Sequence, residues 1–254
     1  MIYFASDFHL GLDARLSSAE REMQIVRWLD QISSDATVVC IVGDIFDFWF
    51  EYKYVVPKGY FRFLTKVADL TAQGIEVHFF LGNHDMWMFD YFKKELGVQI
   101  HSDHILRSFG GKTFFIGHGD GYGPGDYTYK VIKKIFRNRI CQFLFGWLHP
   151  NLGIPLASML SKKSRQSSKE EYRYLGDDKE WLFQYAQSEL EKNPEIDYFI
   201  FGHRHLCIRR SINEKSTYIN LGEWLYNNSY ARFDGQELEI LFFEHEDGQV
   251  FGAE

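Results

Sequence analysis

Five short polar clusters along this chain of 254 residues combine side chains that bind metal ions or transfer protons. Each cluster follows an apolar run, and four of the five begin with a glycine. Carboxylates, imidazoles and an amide, without cysteine, suit Mn, Fe or Zn in a reactive site better than a structural zinc. The clusters read SDFH, GDIFD, GNHD, GHGD and GHRH, and they supply Asp7, His9, Asp44, Asp47, Asn83, His84, Asp85, His118, Asp120, His203 and His205.

Each cluster taken alone has a plainer interpretation. Asn83 or Asp85 could cap a helix, and the Gly-Asp pair at Asp44 is a common turn dipeptide. His203 and His205 could be solvated histidines of an edge strand. Five such coincidences at equivalent positions are improbable, so we interpret the clusters as parts of one site.

The apolar runs before the clusters predict the elements that position them. Residues 17–32 and 59–72 carry apolar side chains at helical spacing between the early runs. This alternation predicts βαβ units and a largely parallel start to a sheet. After residue 197 the turns NEKS and DGQ predict antiparallel hairpins at the far edge of the sheet. Strands are predicted at residues 2–5, 37–42, 76–81, 113–116, 198–201 and 217–221.

The ends of these strands should bring the clusters together. Ligands of open α/β sheets bind beyond the carboxyl ends of the strands. Residues i and i+2 of an extended chain point the same way. We therefore expect Asp7 with His9, and His203 with His205, each to reach one point.

Bulk composition narrows the functional classes. The formal net charge of −7 argues against a general nucleic-acid binder. Three widely spaced cysteines allow neither a disulfide framework nor a CxxC metal site, and Cys40 is expected in the core. With no visible secretory signal and no apolar stretch of membrane-spanning length, the sequence predicts a cytoplasmic protein.

The order and spacing of the five clusters resemble the calcineurin-like metallophosphoesterase family over nearly the whole chain. The resemblance implies one α/β domain of residues 1–254, a sandwich of two mixed β-sheets flanked by helices. It also implies two divalent metal ions, Mn first, with Fe or Zn as alternatives. The implied ligands are Asp7, His9 and His205 for one metal, Asn83, His118 and His203 for the other, and Asp44 as the bridge.

The resemblance also implies a mechanism. A hydroxide between the two metals attacks phosphorus, and His84 contacts the phosphate or protonates the leaving oxygen. Asp85 orients His84. Substrate contacts are expected from Asn83, His84, Asp120 and Tyr122.

Within the family the chain most resembles enzymes that hydrolyse UDP-2,3-diacylglucosamine to UMP and 2,3-diacylglucosamine 1-phosphate in lipid A biosynthesis. This implies a nucleotide-linked glycolipid substrate and no nucleic-acid partner. His84 stands where the best-known of these enzymes have arginine, and histidine is usual in the wider family. A related phosphoesterase for another phosphodiester, nucleotide or phosphomonoester therefore stays open. A non-catalytic scaffold is disfavoured, because all seven ligand positions carry metal-binding residues.

Residues 122–175 interrupt the alternation and predict a helical lid insertion. Residues 127–169 contain nine Lys or Arg and no Asp or Glu. The basic, apolar lid is expected to contact the cytoplasmic side of the inner membrane, or to be a pair of helices that simply pack on the core. The apolar residues that would line an acyl-chain chamber are Phe143, Leu144, Phe145, Trp147, Leu148, Leu152, Ile154, Leu156 and Leu160.

Overall fold

Two β-sheets and seven α-helices make up the part of the chain that the computed structural model describes, residues 1–123, 127–167, 173–174, 176–245 and 248–252. The strands are β1 (Ile2–Ala5), β2 (Val38–Val42), β3 (Glu76–Phe80), β4 (Gln99–His101), β5 (Ile105–Phe109), β6 (Lys112–Ile116), β7 (Tyr198–Phe201), β8 (Cys207–Ser211), β9 (Thr217–Leu221), β10 (Ser229–Phe233) and β11 (Leu238–Phe242). The helices are α1 (Ser18–Ile32), α2 (Phe61–Ala72), α3 (Tyr91–Leu96), α4 (Tyr127–Phe136), α5 (Arg139–Gly146), α6 (Pro150–Ser167) and α7 (Trp181–Lys192).

The first sheet has the order β11-β10-β1-β2-β3-β4, and the second has the order β5-β6-β7-β9-β8. Strands β1 to β4 run parallel, as the alternating sequence predicts. Strand β10 returns antiparallel beside β1. In the second sheet, β6, β7 and β9 are parallel, while β5 and β8 are antiparallel at the two edges.

Alternation along each central strand divides the core into layers. Phe4 packs between the sheets, whereas Tyr3 faces the helices that cover the first sheet. Trp28 of α1 and Phe63 of α2 fill that helical layer. Leu182 of α7 packs on the outer face of the second sheet. The expected sandwich of two sheets flanked by helices is thereby confirmed.

The predicted elements agree with the structure to within one or two residues at most ends. The helix predicted from residue 17 begins at Ser18, because Ser17 caps it: the Ser17 side chain accepts a hydrogen bond from Glu20 N–H, and Glu20 bonds back. Both predicted hairpins are antiparallel, β8–β9 and β10–β11. The expectation that they share one sheet edge is wrong, because β10 pairs with β1 and each hairpin ends a different sheet.

The predicted insertion contains α4, α5 and α6, and we call these three helices the lid. One aromatic cluster attaches it to the rest of the protein: Phe145 and Phe136 lie against Trp87, with ring centroids 4.8 and 5.3 Å from it. Trp87 Nε1 also donates to the carbonyl of Phe136 over 2.7 Å. The parts of the predicted insertion at residues 124–126, 168–172 and 175 lie outside the described residues.

Among the described helices, none is long and apolar enough to cross a membrane.

Candidate metal centre

All five polar clusters follow strands, and the fold brings them to one end of the sandwich. The first sheet supplies the residues after β1, β2 and β3, and the second supplies those after β6 and β7. Their carboxylate and imidazole atoms form three compact groups among the described residues. Two of these groups share Asp44 and are buried except for a partly exposed His203, and the third consists of His9, Asp47 and the partly exposed His84. The site is therefore built where the two sheets meet, and not at the edge of one.

The first group consists of Asp7, His9, Asp44 and His205. His205 Nε2 lies 3.1 Å from Asp7 Oδ1 and 3.0 Å from His9 Nε2. His9 Nε2 also lies 3.7 Å from Asp7 Oδ1 and 3.8 Å from Asp44 Oδ2. Two imidazole nitrogens and two carboxylates thus converge on one small volume, an arrangement that suits a divalent cation.

The second group consists of Asp44, His118 and His203. His118 Nε2 lies 3.3 Å from Asp44 Oδ2 and 3.2 Å from the amide oxygen of Asn83. His118 Nδ1 donates to the carbonyl of Val42 over 2.8 Å, which fixes the ring so that Nε2 faces Asp44 and Asn83. This group therefore presents the same kinds of donor atoms as the first.

The backbone at these residues is unusual. Five of the residues that carry ligand atoms have φ in the left-handed region, a conformation that non-glycine residues rarely adopt. Strain of this kind concentrates at functional sites, where surrounding contacts hold it in place. The values are 56° for Asp7, 45° for His9, 50° for Asp44, 69° for His203 and 54° for His205.

The expected extended geometry, in which residues i and i+2 point the same way, is therefore wrong for both pairs. Asp7 and His9 do meet, but through left-handed residues. His203 and His205 belong to different groups. The turns place one histidine of this pair at each position.

Glycines allow the strand ends to approach one another closely. A Cβ added at Gly82 would lie 2.1 Å from Asp44 Oδ1 and 2.4 Å from Asp44 N, closer than any real contact. One added at Gly43 would lie 2.3 Å from His118 Nδ1. The glycines of these two motifs thus make room for Asp44 and His118, which come from other motifs.

The charges of the site depend on one another. Burial raises the pKa of Asp44, but the charges of His118 and His84 outweigh this and hold that pKa well below its usual value. Burial lowers the pKa of His118, but the charge of Asp44 and a hydrogen bond to it raise the pKa to about 10. The nearby carboxylates of Asp47 and Asp7 likewise overcome burial and raise the pKa of His9 to about 9. Ionised carboxylates buried here demand nearby positive charge.

Asp85 lies beneath the Asp44 loop and is fully buried. Its carboxylate accepts hydrogen bonds from the N–H groups of Ile45 (2.7 Å), Phe46 (3.2 Å) and Gly82 (2.9 Å). Burial and the charge of Asp44 together raise the pKa of Asp85 to about 7, despite hydrogen bonds from backbone N–H groups. These contacts make Asp85 a positioning residue for the loop that carries Asp44.

His84 lies between the metal groups and the lid. Its backbone N–H donates to Asp44 Oδ1 over 2.9 Å. Its Nδ1 lies 3.2 Å from the carbonyl of Asp47 and 2.8 Å from Ser161 Oγ. Asp47 and Ser161 thus both help to orient His84, and the hydrogen bonds given above for Asp85 come from backbone N–H groups. Sequence reasoning missed Ser161, since a lone serine in a lid helix gives no signal, and assigned no role to Asp47.

The two other expected substrate contacts face protein groups. Asp120 Oδ2 accepts from Tyr129 over 2.5 Å and lies 2.6 Å from Lys133 Nζ, both on α4. Tyr122 donates its hydroxyl hydrogen to Asp103 over 2.9 Å. Asp120 therefore ties the end of β6 to the lid.

The donor set fits divalent cations. Asp7 Oδ1 is buried and finds no hydrogen-bond partner among the described residues, although two imidazole nitrogens lie near it. A carboxylate oxygen in that setting costs free energy unless a cation neutralises it. Oxygen and imidazole donors, without thiolates, agree with Mn, Fe or Zn.

Comparison with known proteins agrees with this geometry. Residues 1–207 match the family model described as calcineurin-like phosphoesterase. The UDP-2,3-diacylglucosamine hydrolase of Porphyromonas gingivalis is 39% identical over 255 residues, which cover 96% of this chain and 97% of that protein. The enzyme of the same name from Haemophilus ducreyi is 29% identical over 94% of this chain and 98% of its own length. The enzyme of the same name from Haemophilus influenzae strain PittGG is 26% identical over 89% of this chain and 91% of its own length.

Three observations lead to one assignment: five loop clusters carry the acidic and histidine groups, two mixed sheets bring them together, and the matched family model spans all five clusters. The chain belongs to the calcineurin-like phosphoesterase family.

Proposed function

We propose that this protein hydrolyses the pyrophosphate bond of UDP-2,3-diacylglucosamine, giving UMP and 2,3-diacylglucosamine 1-phosphate for lipid A biosynthesis. The observation that carries the proposal is the pair of donor groups that share Asp44, in a chain 39% identical over almost its full length to a hydrolase of that substrate. No other substrate class has a comparable observation in its favour.

Two divalent metal ions, Mn by preference, would be held by the two groups. Asp7, His9 and His205 would hold the first, and Asn83, His118 and His203 the second. Asp44 would bridge them, because an anion is needed to offset the repulsion of two cations about 3.5–4 Å apart. When bound, such a pair supplies an activated water at neutral pH and neutralises charge on the phosphoryl oxygens.

The chain's own residues would then bind and orient the pyrophosphate. Asn83 offers an amide beside the second group, and His84 faces the same space from the adjoining position. With Nδ1 hydrogen-bonded to Asp47 or Ser161, the ring of His84 is fixed so that Nε2 can donate to a phosphate oxygen. We assign His84 to the phosphate and not to a metal.

The lid would bind the acyl chains. Much of its apolar surface is exposed: Phe143 by 63%, Trp147 by 77% and Leu152 by 61%. Soluble proteins seldom leave so much contiguous apolar surface uncovered unless it binds something. Phe145 and Ile154 are only partly exposed, so the lid both packs on the protein and offers an apolar face.

We assign the protein to the cytoplasmic face of the inner membrane, where it would bind peripherally through the lid. One hollow of about 410 Å³ is lined by Lys130, Lys133 and Lys134 of α4 and by Arg137, which directly follows that helix. Lysines and arginines close to an anionic membrane each contribute about 1 kcal/mol to binding. The basic and apolar faces would thus hold the enzyme where its glycolipid substrate lies.

Replacing His84 with alanine tests its role. We expect the variant to bind two Mn²⁺ as tightly as the wild type and to lower kcat by about 10²–10⁴-fold, as for a lost proton donor or phosphate contact. Metal content by plasma emission and initial rates of UMP release measure the two quantities. His118→Ala is the matched control and should lose metal. Equal metal loss in both variants would show that His84 is a ligand.

The function itself is tested by incubating the Mn²⁺-loaded protein with UDP-2,3-diacylglucosamine and following UMP and the lipid phosphate by mass spectrometry. We expect stoichiometric release of both. A folded, metal-loaded chain that cleaves an aryl phosphodiester but never this substrate would exclude the proposed reaction.

A further inference from the structure

Arg204 stands between two of the proposed ligands, in the sequence His203-Arg204-His205. Its side chain is only 4% exposed. A buried guanidinium costs several kcal/mol unless it is paired and hydrogen-bonded. An arginine in this position is therefore held by specific partners, and those partners also constrain the histidines on either side.

The partner of Arg204 is Glu180, which directly precedes α7 and is 2% exposed. Arg204 Nε donates to Glu180 Oε1 over 2.9 Å, and Nη2 donates to Oε2 over 3.1 Å. The plane of the guanidinium lies on Trp181, with Cζ 4.4 Å from the ring centroid. Paired parallel hydrogen bonds fix both position and orientation, unlike a single contact.

Such anchoring matters because the loop is strained. His203 and His205 both have left-handed φ values, 69° and 54°. Each such residue is strained and persists only where the surrounding contacts hold it in place. On the site-facing side of the loop, His203 N–H donates to Asp7 Oδ2 over 3.0 Å. On the interior side, the Arg204–Glu180 pair provides the anchor.

We propose that Glu180 and Arg204 form a clamp that positions His203 and His205 together, so that one buried ion pair supports both metal positions at once. Neither residue contacts the reacting atoms, so both are positioning residues. The inference rests on the metal assignment of the proposed function and extends it to two residues that are not proposed as ligands.

A second buried arginine gives a contrast within the same chain. Arg21 of α1 is fully buried and donates to the carbonyls of Phe8 (2.8 Å) and His9 (2.7 Å). It therefore supports the loop that carries Asp7 and His9, which are proposed ligands of the first metal alone. Substitution of Arg21 should weaken metal binding at one position, whereas substitution of a clamp residue should weaken it at two.

The test uses conservative variants, because removing one partner of a buried pair leaves an uncompensated buried charge and can unfold the protein. Glu180→Gln keeps the shape and removes the charge, and Arg204→Lys keeps the charge and removes the paired geometry. Mn²⁺ binding is followed by the electron paramagnetic resonance signal of the free ion. We expect both binding constants to weaken by about 10–100-fold, the usual effect of losing an outer-shell partner.

Arg21→Lys should weaken only one of the two constants by a similar factor. Asp197→Asn is the matched structural control: it removes the charge that pairs with Lys112 at the ends of β6 and β7 that lie opposite the site. It should lower the melting temperature and leave both Mn²⁺ constants unchanged.

Wild-type binding of both ions in the clamp variants would overturn the clamp and leave the proposed function intact. Weakening of a single constant in those variants would also overturn it. A wild-type chain that binds no Mn²⁺ would overturn the metal assignment and the clamp together. Weakening by Asp197→Asn as large as that by Glu180→Gln would show a general loss of stability instead of positioning.

Discussion

Replacing Asp44 with alanine should remove metal from at least one position and lower kcat/KM by about 10³-fold or more. Asp44 is the one carboxylate shared by both donor groups, with His9 Nε2 at 3.8 Å and His118 Nε2 at 3.3 Å from its Oδ2. Metal-ion catalysis contributes several kcal/mol, and each loss of about 1.4 kcal/mol is tenfold in rate.

Metal content and kcat/KM for UMP release measure this effect on one preparation. The other oxygen of Asp44 accepts the N–H of His84, so part of the loss is expected to come from a displaced His84. Asp44→Asn separates these two causes of lost activity. Its amide oxygen still accepts the hydrogen bond from His84 N–H, whereas the negative charge is gone. Near-full activity with two ions bound in Asp44→Ala would disprove the bridging role.

Replacing Phe143, Trp147 and Leu152 together with serine should lower kcat/KM for the glycolipid by about 10²-fold or more. Each large apolar side chain contributes roughly 1.5–3 kcal/mol when fully buried against a partner. All three are mostly exposed in the free protein, so the fold should survive the change. The effect should fall on KM, because acyl-chain contacts are made alike in the bound substrate and the transition state.

Hydrolysis of a small aryl phosphodiester by the same variant should be unchanged, since that substrate has no acyl chain. Phe61→Ser is the matched control, because Phe61 is 76% exposed on α2, outside the lid. An equal fall for both substrates would show that the lid serves the metal centre and does not select lipid.

The chemistry of the site was predictable because each ligand sits in a local motif at the end of an apolar run. The strand ends, the glycines and the metal-binding residue types all lie within short stretches of four or five residues. Gly82 illustrates this. The structure shows that a Cβ at this position would collide with Asp44, but the motif that contains Gly82 already marked the turn in the sequence.

Contacts between distant segments were not predictable. Ser161 meets His84 across 77 residues of chain, and Glu180 meets Arg204 across a loop and the whole of α7. Neither pairing produces a periodic pattern in the sequence. The left-handed backbone at Asp7 and His205 likewise comes from tertiary contacts, against the preference of those residues.

Edge strands were missed for a related reason. Strand β4 is three residues long and contains Gln99 and His101, and β5 alternates exposed and covered positions. Short polar segments have weak strand propensity. These two form strands here because a neighbouring strand supplies backbone hydrogen-bond partners.

The most direct test of the account is to titrate Mn²⁺ into the metal-free protein while following UMP release from UDP-2,3-diacylglucosamine. The two donor groups that share Asp44 predict that the rate rises until two Mn²⁺ are bound per chain and then stays constant. A folded chain that binds two Mn²⁺ and releases no UMP would contradict it.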